Sequence, residues 1–449
     1  MRQHYRFLYN FLIAYLISFG HVFGQNKNEF ITNSTEAVQL AGVMVENNDI
    51  DNAESILYSI PQNVSGPVEL ERWFLLGQIE AKKGHFHEAI KIYKKILDAQ
   101  PDLSRVRFEL ALCYIKLGYW YRADYNLRLA MAGDDLPTNI RNVMNYYRYL
   151  IRQNKNWNVW FNFGAAPDNN INVANGGIEC VNTVFGPLCH ELASPESAVG
   201  YNFILGGNYE FRLGEQWRWK SDANIYSNIY NKHSFDDLFL SMSTGPRYIW
   251  QNGDIWLAGV LGRRWYGWDK YSLSAGGKLD LNYDFTRKLS AGIYLRIMDN
   301  TYDELGKWLN GNTYSANTRI SYSLDSTKYL IFRGGIERET AADSIYSNWK
   351  PSIGIGFGTA LPYGFDIYIE PFFYWTRYDD ARWVIHNGDF VKRTVNDFNQ
   401  RYSISLSNHK FNVLGMTPTI TVSYTRRDSN IWQREYDKYA AEFTFQRRF

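Results

Sequence analysis

The chain has 449 residues, a formal net charge of +2 and 17% aromatic residues, among them 34 Tyr, 27 Phe and 15 Trp. A near-neutral balance with no basic arm or charge block argues against nucleic acid as a partner. A mean hydropathy of −0.40, with no second long apolar stretch after the N-terminus, excludes a bundle of membrane helices, each of which needs about 20 apolar residues.

At the N-terminus, Arg2, His4 and Arg6 precede an apolar run over 7–19 and the stop Val22, Phe23, Gly24 before Gln25. This is the pattern of a secretory signal peptide over 1–24, and the run is too short to span a bilayer.

Apolar spacing over 36–154 is helical. Trp73, Leu76, Gly77, Ala89, Tyr93 and Pro101 fall at the marker positions of a tetratricopeptide unit of about 34 residues. Leu110, Ala111, Tyr114, Ala123 and Ala130 repeat the pattern one unit later, and Leu40, Ala41 and Ala53 supply a weaker first unit. Three units are about the minimum that buries a shared core by stacking, so 25–155 is read as one domain with a capping helix over 138–153. In such arrays the small and aromatic markers are structural, and binding uses the concave face. That face is expected to carry Gln78, Lys82, Arg105, Phe108 and Lys116. Cys113 falls on an apolar helix face and reads as core. His85 and His87 flank Phe86 in an interhelix turn with no further ligands nearby in sequence, so no metal site is expected.

From Trp157 the apolar period drops from about 3.6 to 2 and stays there. A first strand containing Trp157 and Phe163 leads into Pro167, Asp168, Asn169, Asn170, Ile171 and Asn172, residue types that favour turns. Cys180 and Cys189 then bracket a short segment of an Asn- and Gly-rich loop, and in an exported protein they read as a local disulfide. About fourteen strands follow in all, and their connections alternate in length. Tight turns fall near Gly214, Asn252, Thr286, Asp325, Pro362 and Asn408, and longer loops occupy 164–198, 299–311 and 378–395. Alternation alone does not separate a membrane barrel from a soluble sandwich; short turns on one rim and long loops on the other favour the barrel.

The last strand closes the pattern, with Tyr439, Ala441, Phe443 and Phe445 on one side and Phe449 at the end. The predicted fold is therefore an α-helical tetratricopeptide solenoid followed by a 14-stranded antiparallel transmembrane β-barrel over 156–449. An even strand number returns the C-terminus to the periplasmic side, where the helical domain is expected. The lumen is expected to carry the polar alternates Glu210, Arg212, Arg218, Lys220, Asp222, Lys278, Asp280, Asp284, Arg296 and Arg319. A mixed-sign lining keeps a passing chain hydrated without holding it, whereas a single sign would suit an ion-selective pore. No phosphate-binding loop, G-x-S-x-G elbow or H-E-x-x-H pair is present, so neither an enzyme nor a cofactor is expected.

The run Phe161 to Asn172 after the first strand, the helix that feeds it and the order of repeats before barrel resemble the surface lipoprotein assembly modulator (Slam) family over the whole mature chain. The most specific residues are Pro167, Asp168, Asn169, Asn170 and Asn172. The resemblance implies an outer-membrane protein that delivers client lipoproteins to the cell surface, with the repeats engaging the client. It implies a periplasmic chaperone, the barrel assembly machinery and outer-membrane lipids as further partners. Arg447 departs from the apolar residue usual near such a terminus. An acyl chain loses about 0.8 kcal/mol per CH₂ exposed to water, so the lipid is expected to stay in the bilayer while the polypeptide crosses. That calls for a lateral seam between the first and last strands, marked by Trp157, Phe163, Tyr439 and Phe449. Three other readings share the domain order: a porin-like or exopolysaccharide-export barrel, a secretor of soluble client proteins, and a surface adhesin or receptor.

Overall fold

The computed structural model describes residues 25–61, 66–133, 138–408, 411 and 416–448. The expected signal peptide and the terminal Phe449 lie outside the described residues. The chain divides into two compact units, Met1–Ala130 and Met131–Phe449.

The first unit consists of α1 (Gln25–Glu46), α2 (Ile50–Ser59), α3 (Pro67–Lys83), α4 (Phe86–Ala99), α5 (Ser104–Lys116) and most of α6 (Trp120–Ala132). They form three helix pairs. Local chemistry sets their ends. Pro67 opens α3, and Gly84 at φ 87° closes it by donating its N–H back to Ala81, the arrangement of a left-handed glycine cap. Gly77 is small for a steric reason, because a Cβ there would lie 2.5 Å from Cε1 of Tyr93, whose ring is fully buried. Val38, Ala41 and Val45 of α1, Ala53 and Leu57 of α2, and Leu75 and Ile79 of α3 form one continuous core. Full burial of such side chains stabilises by roughly 1.5–3 kcal/mol each for the larger ones.

The second unit contains α7 (Thr138–Asn154), the helix expected as a cap, which belongs with the barrel. Fourteen strands then close into a barrel, joined in the order β1, β4 to β16 and back to β1, with every pairing antiparallel. They are β1 (Trp157–Asp168), β4 (Ala198–Arg212), β5 (Trp217–Tyr230), β6 (Asp237–Trp250), β7 (Gly253–Tyr266), β8 (Asp269–Asp284), β9 (Leu289–Tyr302), β10 (Gly311–Ser323), β11 (Lys328–Glu339), β12 (Asn348–Ala360), β13 (Phe365–His386), β14 (Asp389–Asn408), β15 (Thr417–Ser429) and β16 (Tyr436–Arg448). A separate hairpin of β2 (Ile178–Thr183) and β3 (Gly186–Glu191) occupies the loop after β1.

One expected loop is a strand pair. Residues 378–395 extend β13 and β14 into a long hairpin that turns at Asn387 and Gly388, both with positive φ. Asn-Gly is the strongest two-residue hairpin signal. A register shift between Arg377 and Ala381 breaks the alternation just before it and hides the continuity.

Burial decides between barrel and sandwich. Leu257, Leu261, Ile297, Ile355, Ile404 and Val422 are exposed, whereas Asn202, Glu210, Ser243, Asp254, Ser272, Lys278 and Glu370 are buried. Apolar outside and polar inside is stable only where the outer solvent is hydrocarbon. Near the short turns, the rings of Trp217, Tyr248, Trp250, Tyr283 and Phe285 follow one another at centroid distances of 4.9, 6.0, 6.4 and 4.8 Å, as an interfacial aromatic belt requires.

Leu261, mid-strand on β7, is 60% exposed while its neighbour Val260 is 8% exposed. Leu261→Arg is therefore expected to destabilise the barrel by about 2–4 kcal/mol, measured by denaturant unfolding in lipid vesicles. An unchanged midpoint would place this position off the lipid face.

Candidate functional site

On the helical unit, Phe74, Gln78 and Lys82 recur along α3 at helical spacing, and Arg105 and Glu109 do so on α5. Gln78 Nε2 lies 3.5 Å from Glu109 Oε1, and Arg105 Nη2 lies 2.7 Å from the same oxygen. The Arg105 guanidinium stands 5.9 Å from the Phe74 ring centre. Lys82 Nζ donates to the Val45 carbonyl of α1. Gln78, Lys82 and Arg105 are thus brought together across the first helices of the three repeats, and Lys116 is exposed at the end of α5. Phe108 does not join them. It is 5% exposed among Val106, Leu110, Ala111 and Tyr114, because the apolar face of α5 is broad enough to draw a large ring into the core. Cys113 is also core, and burial pushes its thiol up to about 12. His85 bonds to Glu80 at 2.9 Å, and no metal-binding cluster occurs among the described residues.

Inside the barrel the expected polar residues sort into two groups. The first fastens α7 to the short-turn rim. Arg218 is 1% exposed; it donates to the carbonyls of Gly214 at 2.8 Å, Trp217 at 2.9 Å and Gln153 at 3.1 Å. Arg212 reaches the same Gln153 carbonyl at 3.4 Å. Asp284 accepts from Arg152 at 2.8 Å and pairs with Arg148 at 3.1 Å. The second group lines the wall. Lys220 and Lys278 each stand 4.0 Å from the centre of the Trp256 ring, and Lys278 lies 3.6 Å from Asp222. Asp280 follows two positions along β8 on the same face. Arg296 sits opposite Lys278, and Arg319 opposite Arg333.

Several partners were not anticipated from sequence. Arg247 binds both oxygens of Glu210 at 2.6 and 2.8 Å and Asp254 at 3.1 Å. Arg333 binds Glu370 at 2.6 Å. Arg148 and Arg152 belong to a helix whose partner surface is far away in sequence. The wall therefore carries both signs: Arg247 and Arg333 are paired with carboxylates, while Lys278 and Arg319 each face another cation on the neighbouring strand.

At the seam, β1 pairs with β16 from Trp160 opposite Arg448 to Ala165 opposite Phe443, with Phe163 opposite Phe445. Gly164 is required there, since a Cβ would meet the Phe443 carbonyl oxygen at 2.3 Å. Trp157 lies before this ladder, facing Tyr209 of β4. Tyr439 lies beyond its other end, beside Asn169. Pro167, Asp168, Asn169, Asn170 and Asn172 stand at the seam's outer end, away from the short turns. The following loop carries the β2–β3 hairpin, in which Cys180 and Cys189 are opposite one another and joined by a disulfide. The hairpin rests on the tip of β13–β14, where Asn182 donates its N–H to the Gly388 carbonyl at 2.8 Å.

Residues 157–449, the whole strand region, match the family model described as surface lipoprotein assembly modifier. The chain belongs to this family. Residues 70–103 also match a tetratricopeptide repeat model. The surface lipoprotein assembly modifier of Pasteurella multocida is 22% identical, over 90% of this chain and 81% of that protein. Surface lipoprotein assembly modifier 1 of Haemophilus influenzae is 22% identical, over 86% of this chain and 80% of that protein. The hemophilin secretion modulator of Acinetobacter baumannii is 19% identical, over 83% and 76%. As a member of the surface lipoprotein assembly modifier family, the protein is an outer-membrane β-barrel with an N-terminal helical-repeat region in the periplasm.

The helical unit also makes a pH prediction. Burial raises the Glu71 carboxyl to about 7, opposed by the nearby Arg105 guanidinium. A carboxyl whose folded value is raised holds its proton longer in the folded state. Its effect on stability is least unfavourable at low pH, and stability falls as pH rises from the ordinary glutamate range through about 7. Glu71→Gln is expected to stabilise the helical unit by about 1–3 kcal/mol at pH 8 and to flatten that slope. Thermal loss of the 222 nm helical signal of the intact protein in detergent measures it; a variant as pH-sensitive as the parent would contradict the assignment.

Proposed function

We propose that this protein is an outer-membrane translocator that delivers lipidated client proteins to the cell surface. The match of the entire barrel, residues 157–449, to the surface lipoprotein assembly modifier family carries this reading. The geometry supplies its physical form. A closed barrel with a mixed-sign wall offers a polypeptide a wet surface, and the seam between β1 and β16 is the one strand boundary that no loop spans. The acyl chains stay in hydrocarbon while the polar chain passes along or through the barrel and leaves at that seam. In the periplasm, the groove formed by Gln78, Lys82 and Arg105 receives the client from a chaperone. Its amide, ammonium and guanidinium groups, set around the Glu109 carboxylate, suit an extended or partly folded backbone. The domains are a signal peptide over 1–24, a periplasmic repeat domain and the barrel. The protein performs transport, not catalysis, and uses no cofactor; client folding outside the cell or handover between partners supplies the drive.

A second reading is favoured by one observation. The Acinetobacter relative is named for secretion, which suits a variant in which an unlipidated client leaves the cell by the same route.

The test is display of a candidate lipoprotein encoded beside this gene, in intact cells of a diderm host with and without this protein. The client should become accessible to external protease only when the protein is present, with equal amounts in lysed controls. A client that stays protected while the cells gain permeability to small solutes would move the channel reading ahead.

A further inference from the structure

The seam is not uniform along its length. From Trp160 to Ala165 the ladder with β16 is unbroken, Ala166 and Pro167 make no pair across it, and pairing resumes at Asp168 opposite Ala440. On the opposite side of β1 the same residues pair normally with β4, Ala166 with Gly200 and Pro167 with Val199. The interruption is therefore confined to the seam. Proline lacks the N–H that a ladder position needs, so its presence separates an inner ladder from an outer end that must be held by other means.

Two side chains bridge the strands themselves at that outer end, and farther out Asn175 donates to the Trp432 carbonyl and Gln433 to Glu179. Asp168 Oδ2 lies 2.5 Å from Lys438 Nζ of β16, and the Asp168 side chain is 8% exposed. Asn169 donates its backbone N–H to the Tyr439 carbonyl at 3.3 Å, while the Tyr439 N–H donates to the Asn169 side-chain Oδ1 at 2.8 Å. A side-chain oxygen here stands where a strand carbonyl would accept. The next residues turn the chain away. Asn170 is buried and clasps Ala174 with both ends of its amide, at 2.8 and 2.9 Å. Asn172 donates to the Ser194 carbonyl at 2.8 Å and accepts from the Glu196 N–H at 3.0 Å. Each amide in the run thus has a separate backbone task, and only Asp168 and Asn169 reach across the seam.

We propose that Asp168 and Asn169 are positioning residues that clasp the outer end of the first-to-last strand seam and set how readily the barrel opens to the cell surface. The proposal rests on the lateral-route reading above. Because Pro167 uncouples the outer end from the inner ladder, releasing the clasp frees the last pairs first, and the run between Trp160 and Ala165 opens only as a client passes. A charge-assisted contact and one side-chain acceptor are strong enough to close the end at rest, and few enough to be exchanged for contacts with an emerging client.

The experiment is hydrogen–deuterium exchange of the full-length protein in lipid nanodiscs, with surface display of the client measured for the same variants. Asn169→Ala and Asp168→Ala are expected to speed exchange at 438–440 about tenfold and to leave 443–445 unchanged. Asn169→Asp keeps the acceptor, and Asp168→Lys with Lys438→Asp restores the ion pair in reverse; both should recover protection and the parental display rate. Unchanged exchange at 438–440 in both alanine variants would overturn the clasp whatever happens to display, and so would a rise spread evenly along β16, which signals general loosening. Faster local exchange with an unaltered display rate would instead sink the lateral route, and with it any role for the clasp in delivery.

Discussion

Closure of the first strand onto the last is the constraint on which this structure depends. In hydrocarbon no water satisfies an open sheet edge, so every strand must be paired on both sides. Thirteen of the fourteen junctions join strands consecutive around the wall and linked by chain; the junction of β1 with β16 is held only by non-covalent contacts. The close approach at Gly164, the ladder from Trp160 to Ala165 and the contacts of Asp168 and Asn169 all serve that one boundary. It is also where a barrel can open at the smallest cost.

The wall and the rim follow from the same partition. Polar side chains excluded from the lipid face turn inward, and there they must be paired or hydrated. Glu210, Arg247 and Asp254 satisfy one another, as do Arg333 and Glu370, while Lys220 and Lys278 stand on the faces of Trp256. Such a surface mixes paired charges with cations that face one another across strands, as Lys278 and Arg296 do. At the short-turn rim, Arg148 and Arg152 of α7 reach Asp284, and Arg218 reaches Gln153. The helix that leads into β1 is therefore anchored to the short-turn rim at β5 and β8.

Much of this was legible in the sequence, for definite reasons. Helical repeats announce themselves through small residues that steric contact forbids enlarging, as Gly77 against Tyr93 does. Strands announce themselves through a period of 2, and the switch to it at Trp157 coincides with the start of β1. Failures arose where a local rule was broken or a partner was distant. The irregularity after Arg377 concealed the long β13–β14 hairpin, and Phe108 looked like a groove residue until the breadth of the α5 core became visible. Arg247 and Arg333 carry no signal of their own, since their partners are set by strand register. The Asn-rich run was recognisable as a motif, yet turn chemistry alone could not reveal that two of its members cross to β16.

The most direct measurement of the central claim is delivery by a barrel locked at its seam. Cysteines at Ala165 and Phe443, which face one another across β1 and β16, can be joined in the assembled protein, with each single-cysteine variant treated identically as control. If clients leave laterally, display stops on cross-linking and returns on release of the cross-link, while the amount of folded barrel stays constant. Display continuing at the parental rate through a fully cross-linked seam would contradict the account.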